Sequence, residues 1–168
     1  MSKRKTRKML TDVHNRCDDQ LDDLKFSEML VIARRHYLDA FGLAAAIAHR
    51  TIPFSTEDLM QAYQMANDWL FWFENPKAEG CPLGDKDADY SDQAKMMRMY
   101  VCSLGGRLME RQDEVEKLFN NLDPSIVEMA KRGISEAPQH LRQYLKALRT
   151  TAEAFDRWGY STFLQAIS

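Results

Sequence analysis

The sequence has few of the residues that interrupt or cross-link a chain. Among its 168 residues there are seven glycines, five prolines and three cysteines. Such low glycine and proline contents favour long helices joined by short loops, and the sequence has no low-complexity segment. Cys17, Cys81 and Cys102 form no CxxC pair. We therefore expect no disulfide framework. We expect reduced thiols in a cytoplasmic protein instead.

Long apolar runs and a strong charge of one sign are also missing. No stretch approaches 18 uninterrupted apolar residues, so we expect no membrane-spanning helix and no membrane partner. The N-terminal MSKRKTRKML has cations but no apolar run behind them, unlike a secretory signal. A net charge of −2 and a pI near 6.1 give no global basic field of the kind that attracts nucleic acids.

The common catalytic signatures are absent as well. The sequence contains no GxGxxG, GxxxxGK[ST], GxSxG or HExxH motif, and no ExxH pair of the di-iron type. We therefore predict a non-enzymatic protein without a cofactor. A site assembled from distant residues would leave no such signature, so a small enzyme or metal site built around loop 75–90 remains an alternative.

The strongest pattern that is present is the helical period of residues 56–74. Ser55 with Asp58 forms a predicted capping box, Phe54 precedes it as a hydrophobic staple, and Pro76 ends the helix. The second half of the stretch is apolar on nearly every side, which is typical of a helix surrounded by neighbours. We predict that this is the central helix of the fold. Its apolar stripe, at spacings of three and four, is Leu59, Ala62, Tyr63, Ala66, Trp69, Leu70 and Phe73.

Other stretches repeat apolar residues with the same period. They predict helices over 27–50, 91–121 and 136–158, and a first helix around 12–24. The register of 91–121 runs without a break through Gly105–Gly106, which favours one long helix in which the glycines allow close packing. Arg111 is the one polar residue in that seam, and we expect it to reach an acidic partner or the surface.

Together these patterns predict an all-α fold without a sheet. We expect a single-domain bundle of five to seven helices around the central helix of about 56–74. Residues 1–9 are expected to form a flexible basic tail and residues 10–168 the helical domain. Ser27 and Ser135 are predicted caps of two of the helices.

One long loop, 75–90, is the first place to look for a functional site. Asp85, Asp87 and Asp89 occupy alternate positions, as in the first half of an EF-hand. The motif then needs a glycine and a bidentate glutamate, but Tyr90 and Met96 stand there. We therefore predict a solvated acidic loop and no bound metal. His14 and Cys17 have a ligand-like spacing but no second pair to complete a zinc site.

Residues 126–149 resemble a helix-turn-helix, with a short helix, Gly133 in the turn and a second helix. The glycine comes one position early for the motif, so DNA binding is an alternative rather than the first hypothesis. Nucleic acid would be the second choice of partner. The groove-facing residues would be Gln139, His140, Arg142, Gln143 and Lys146.

Ten methionines and several aromatics that lie off the apolar seams favour an adaptable protein-binding surface. Our first hypothesis is a helical adaptor or regulatory module that acts through protein–protein contacts. The partner would be another protein or a second copy of the chain. The predicted contact residues are Phe71, Trp72, Trp158 and Tyr160.

Overall fold

The computed structural model describes residues 26–159 and 161–168, and within these ranges it contains helices and no strand. The prediction of an all-α fold is confirmed. The basic tail 1–9, the helix expected around 12–24, His14, Cys17 and Tyr160 lie outside the described residues. The described helices are α1 (Phe26–Arg35), α2 (Tyr37–Ala48), α3 (Thr56–Glu74), α4 (Ser91–Glu110), α5 (Gln112–Asn120), α6 (Pro124–Arg132), α7 (Gln139–Asp156) and α8 (Phe163–Ile167), with a 3-10 turn at Ile134–Glu136.

Helix α3 lies at the centre of the bundle, as its sequence predicts. It packs against α1, α2, α4 and α7, and Leu59 and Ala66 on its stripe are fully buried. The capping box is present: the Ser55 hydroxyl accepts from the Asp58 N–H at 3.0 Å, and the Asp58 carboxylate accepts from the Ser55 N–H at 3.2 Å. Local signals therefore fix where this helix begins, and its apolar surroundings fix where it lies.

An aromatic cluster joins the second half of α3 to α1 and α2. Phe41 stacks on Phe73 with ring centroids 5.9 Å apart, and Tyr37 meets Trp69 edge-on at 6.2 Å. The buried Trp69 indole N–H donates to the carbonyl of Ala33 at 2.8 Å. This bond satisfies the one polar group that burying a tryptophan would otherwise leave unpaired.

Both of the longest predicted helices are interrupted, which is why eight described helices replace the five to seven expected. The stretch 27–50 breaks at His36, whose backbone is extended (φ −129°, ψ 118°). The stretch 91–121 breaks at Arg111 (φ −110°, ψ 25°), whereas α4 runs straight through Gly105–Gly106. Local propensity would favour a break at the glycines, so tertiary contacts at Arg111 decide its position.

The Arg111 side chain connects the break to the start of α3. It donates to the Phe54 carbonyl at 3.2 Å and to the Thr56 hydroxyl at 3.4 Å, and its guanidinium lies 4.6 Å from the Phe54 ring centroid. The Thr56 hydroxyl in turn donates to the Glu114 carboxylate. Arg111 was expected to reach an acidic partner or the surface; among the described residues its partners are a carbonyl, a hydroxyl and an aromatic face, and it reaches the Glu114 carboxylate only through Thr56.

The end of α2 is a Schellman motif with an arginine in the glycine position. The Thr51 N–H bonds the Ala46 carbonyl at 2.9 Å, and the Arg50 N–H bonds the Ile47 carbonyl at 3.1 Å. Arg50 has φ +57° and is the one non-glycine residue with positive φ in the described chain. Left-handed backbone is unfavourable for a residue with a Cβ, so this turn holds a strained residue.

The C-terminal helices close the bundle from the other side. The prediction that Ser135 caps α7 was wrong. Ser135 lies in the 3-10 turn, and α7 begins at Gln139, directly after Pro138. Ser27 likewise lies inside α1. The helix before the turn ends at Gly133 as predicted. Buried residues from α1 to α8 form one contiguous core, and none of the described helices is long and apolar enough to cross a membrane.

Candidate functional site

Two of the predicted contact residues, Phe71 and Trp72, lie side by side at the C-terminal end of α3. Their ring centroids are 5.1 Å apart in an edge-to-face arrangement. Phe71 is 50% exposed, while Trp72 is partly buried against the core. The pair therefore presents an aromatic surface whose inner member is held in place by packing, and we call it the aromatic pair.

The loop 75–90 forms one border of the aromatic pair. A side-chain carbon added at Gly80, where φ is +79°, would lie 3.9 Å from the Trp72 ring, so the loop backbone passes close to the indole. Further along, Leu83 is buried and the Tyr90 ring lies 5.8 Å from that of Phe73. The loop is thus anchored on the end of α3.

The acidic residues of this loop are used in its own turns. The Asp85 carboxylate accepts from the Asp87 N–H, and the Asp89 carboxylate accepts from the Ser91 N–H, both at 3.0 Å. Asp87 pairs with Lys77 at 3.5 Å. In the described part of the chain, no group of three or more His, Cys, Asp or Glu side chains is placed to hold a metal ion. Bonds to Ser91 hold the pKa of Asp89 below its usual range.

Trp158, the third predicted contact residue, lies after the end of α7. Its ring is 46% exposed and packs edge-on against Phe155 at 5.5 Å. No ring contact joins it to the aromatic pair. The predicted contact residues within the described ranges are therefore divided between the end of α3 and the end of α7.

The helix-turn-helix candidate departs from the motif in its connection. Six residues separate α6 from α7, where the motif has a turn of three or four. Of the five predicted groove residues, Gln139, His140, Arg142 and Gln143 are exposed on the first turns of α7. The Arg142 guanidinium nevertheless donates to the Ala137 carbonyl at 2.8 Å, so it closes the turn in the free protein.

Lys146, the fifth of these residues, belongs to a polar network between α1, α3 and α7. Its ammonium donates to the Asp68 carboxylate at 2.9 Å. Asp68 also accepts from the Gln64 amide, and Gln64 in turn accepts from the Arg34 guanidinium at 3.3 Å. Gln61 accepts from the same guanidinium at 3.2 Å. Lys146 thus pairs directly with Asp68, whereas Arg34 is linked to that carboxylate through Gln64, and the Lys146 and Asp68 side chains are partly exposed.

Burial dominates the electrostatics of this network. It raises the pKa of Asp68 above its ordinary value although Lys146 and Arg34 both lower it, and it lowers the pKa of Arg34 although Asp68 raises it. Among the described residues, the buried Arg34 Nε and Thr151 hydroxyl oxygen find no hydrogen-bond partner. An ion pair that is partly withdrawn from water in this way is weak evidence for stability.

The sequence analysis missed this network. The signal that could have revealed it is the spacing of Gln61, Gln64 and Asp68, which follow one another at three and four residues on a helix with a large apolar face. Their partners Arg34 and Lys146 are too distant in sequence for any local pattern to connect them.

One cavity of about 400 Å³ lies between the start of α3 and α5. It is open, and it carries the Thr56–Glu114 hydrogen bond on its wall. Its lining mixes carboxylates, hydroxyls, one amide, one cation and one leucine. The lining residues are Ser55, Thr56, Glu57, Glu114, Lys117, Leu118 and Asn121.

Comparison with known proteins gives no relative of this chain. No protein-family model matches it, and no curated protein or solved structure is significantly similar to it.

Proposed function

We propose that the protein is a non-enzymatic helical module that acts by binding another protein through the aromatic pair. The observation that carries this proposal is the half-exposed Phe71 ring braced by Trp72 at the end of the central helix. Aromatic side chains of this kind supply most of the energy of many protein interfaces, because they bury a large area at little cost in conformational entropy.

The position of the pair supports the proposal further. Phe71 stands on the most extensively packed helix of the described chain, so its backbone is held rigidly. Trp72 is fixed from below by the core and from the side by the loop at Gly80. A preorganised surface loses little freedom when a partner binds, and the affinity per contact is correspondingly higher.

The test is affinity capture from the native host with the tagged full chain and a Phe71→Ser variant. We expect the captured amount of at least one protein to fall by about tenfold or more with Phe71→Ser. Truncating a central aromatic anchor costs about 2 kcal/mol or more of binding free energy. The direct interaction is then measured with that purified protein. Met99→Ser is the matched control, because Met99 is equally apolar and even more exposed but lies on α4.

Trp72→Ser extends the test to the inner ring. Because Trp72 also packs on the core, the helical signal and melting temperature of that variant must be measured beside its binding. Equal capture by the native chain, Phe71→Ser and Met99→Ser would contradict the proposal.

The DNA-binding alternative is tested in the same samples. Nuclease treatment before capture separates proteins held by nucleic acid from direct partners. Tight duplex binding at physiological salt that is lost with Arg142→Ala, and that falls steeply with added salt, would favour the groove residues of α7 over the aromatic pair. We expect weak duplex binding, because the net charge is −2.

A further inference from the structure

We propose that the basic segment Lys3–Lys8 of this chain docks on the aromatic pair and the adjoining acidic loop, where it competes with a partner. This inference rests on the proposed function, because it takes the aromatic pair as the binding surface. It adds an identified occupant, a cationic peptide, and a form of regulation, since the chain would carry its own competitor.

The receiving surface combines aromatic rings with carboxylates, four of which have no cationic partner among the described residues. Residues 74–92 contain six acidic and two basic side chains. Glu74 is paired with Arg98 at 2.9 Å and Asp87 with Lys77 at 3.5 Å. The remaining acids have no cationic partner within residues 26–159 and 161–168; they are Glu79, Asp85, Asp89 and Asp92.

Two of the acidic residues border the aromatic pair itself. Glu74 follows Phe71 by three positions on α3, a spacing that places both on one side of a helix. Glu79 directly precedes Gly80, where the loop passes the Trp72 ring. A ligand on the aromatic pair would therefore lie close to Glu74, whose carboxylate also pairs with Arg98, and to the loop backbone that follows Glu79. The chemistry that fits both features is an arginine or lysine side chain, which is attracted to aromatic faces and to carboxylates.

The chain already uses this type of contact elsewhere. The Arg111 guanidinium lies 4.6 Å from the centroid of Phe54, so a cation over an aromatic ring is part of its own packing. Phe71, by contrast, is half exposed, and its only ring contact in the described structure is Trp72.

The segment Lys3–Lys8 is the occupant with the matching charge. Five of its six residues are cationic, while the rest of the chain carries a net charge of −7. Seventeen residues separate Lys8 from Phe26, the first described residue of α1. An extended linker of that length reaches about 55–60 Å, and a compact domain of this size is about 40 Å across. The segment can therefore reach the end of α3 in its own molecule.

A closer target for the cations exists in the sequence. Asp18, Asp19, Asp22 and Asp23 lie between the basic segment and α1, and they could neutralise it without any aromatic contact. The two arrangements differ in one respect: only docking at the end of α3 requires Phe71.

The experiment uses a labelled synthetic peptide of residues 1–10 and two full-length chains. One is the native chain, and the other has its tail neutralised by Lys3→Gln, Arg4→Gln, Lys5→Gln, Arg7→Gln and Lys8→Gln. Fluorescence anisotropy at low salt should show the peptide binding about tenfold more tightly to the neutralised chain, because a tethered tail competes at an effective concentration near the millimolar range.

Two changes locate the binding surface. Phe71→Ser in the neutralised chain should weaken peptide binding by about tenfold, and Met99→Ser should leave it unchanged. Raising the salt concentration from about 50 to about 500 mM should weaken peptide binding by a similar factor, since salt screens exposed charges. Equal peptide affinity for the native and neutralised chains, or for Phe71→Ser and its parent, would overturn the inference and would favour neutralisation by the nearby aspartates.

The outcome is separable from that of the capture experiment. If a partner depends on Phe71 but the peptide does not, the proposed function stands and this inference fails. If the peptide depends on Phe71 but no partner does, the surface binds the tail and the proposed function fails.

Discussion

At the scale of single residues, Trp69 is a large buried side chain of the core. Its ring is 2% exposed, it contacts Tyr37 and Phe73, and its N–H is bonded to Ala33 at 2.8 Å. Trp69 therefore combines apolar burial with the one hydrogen bond that its indole can donate.

We expect Trp69→Ala to lower the free energy of unfolding by about 3–5 kcal/mol, because it removes a large buried ring and leaves a cavity. Urea unfolding followed by circular dichroism measures the change. Phe71→Ala, two residues away but half exposed, is the control and should change it by less than about 1 kcal/mol. A small effect of Trp69→Ala would mean that the ring belongs to an interface instead of the core.

Arg50 is the residue at which backbone strain can be measured. Its φ of +57° is unfavourable for any residue with a Cβ, and its side chain pairs on the surface with Glu110 at 3.0 Å. We predict that Arg50→Gly is more stable than Arg50→Ala by about 1 kcal/mol. Both variants lose the same surface pair, so thermal unfolding of the two reports on the backbone alone. Equal stability would show that the turn adopts another conformation in solution.

At the scale of elements, α4 contains two glycines that its packing does not require. A side-chain carbon at Gly105 would lie 3.6 Å from the Tyr63 ring, an ordinary contact, and one at Gly106 would meet nothing within 4 Å. The glycines were expected to allow close packing; only Gly105 lies against a neighbouring helix, and neither position excludes a Cβ.

We predict that Gly106→Ala raises the free energy of unfolding by about 0.5–1 kcal/mol, since alanine loses less backbone freedom in a helix. Gly105→Ala should do so by a similar or smaller amount, because its Cβ meets Tyr63. Chemical denaturation of the two variants checks both values. Destabilisation by Gly106→Ala would indicate that α4 bends there in solution.

The interface of α3 with α7 contributes a pH dependence through Asp68. Burial raises the folded-state pKa of Asp68 above its ordinary value of 3.8, so the folded protein binds this proton more tightly than the unfolded chain. The contribution of Asp68 to the free energy of unfolding is then largest at low pH. It falls as the pH rises from about 4 through the folded-state pKa.

The measurement is the free energy of unfolding against pH for the native chain and Asp68→Asn. The native value minus the variant value should decrease with rising pH, because only the native chain titrates at this position. In Lys146→Gln the decrease should extend to higher pH, since Lys146 lowers the pKa of Asp68. A difference that grows with pH would show that the ion pair outweighs desolvation.

At the scale of the whole molecule, the buried residues form one cluster from α1 to α8. Phe163 of α8 stacks on Phe119 of α5 at 5.8 Å and lies far along the chain from Trp69. If residues 26–168 unfold as one unit, each variant should unfold in a single transition. Phe163→Ala should then lower the free energy of unfolding by about 3 kcal/mol or more, as Trp69→Ala does. Calorimetry of both variants tests this. Two separate transitions would divide the C-terminal helices from the rest.

Patterns local to the sequence predicted much of this fold. The period of α3, its capping box and its central position follow from neighbouring residues and apolar content. What they did not predict depends on contacts across the chain. The break at Arg111 accompanies bonds to Phe54 and Thr56, more than 50 residues earlier, and no local rule contains that information.

The candidate site, like the fold, was predicted from the sequence only in part. The exposure of Phe71 was predicted because the residue lies off the stripe of an amphipathic helix, and the structure agrees. The pairing of Lys146 with Asp68 was not predicted, because it joins two helices whose polar positions look like ordinary surface. Lys146 had instead been assigned to the groove-facing set.

That pairing has a consequence for the order in which the molecule assembles. Lys146 and Asp68 are 78 residues apart, whereas Arg98 and Glu74, which join α4 to α3, are 24 apart. Closing the longer loop costs about 1 kcal/mol more chain entropy, so α3 should pair with α4 before α7 arrives.

During synthesis, the elongation rate of the ribosome sets the time between the pairing of α3 with α4 and the arrival of α7. The chain from the end of α4 to the end of α7 takes roughly 2–9 s to make at usual elongation rates. Throughout that interval the side of α3 that α7 will cover is bare. We expect the nascent chain at this length to be the form most prone to capture by chaperones that recognise apolar surface.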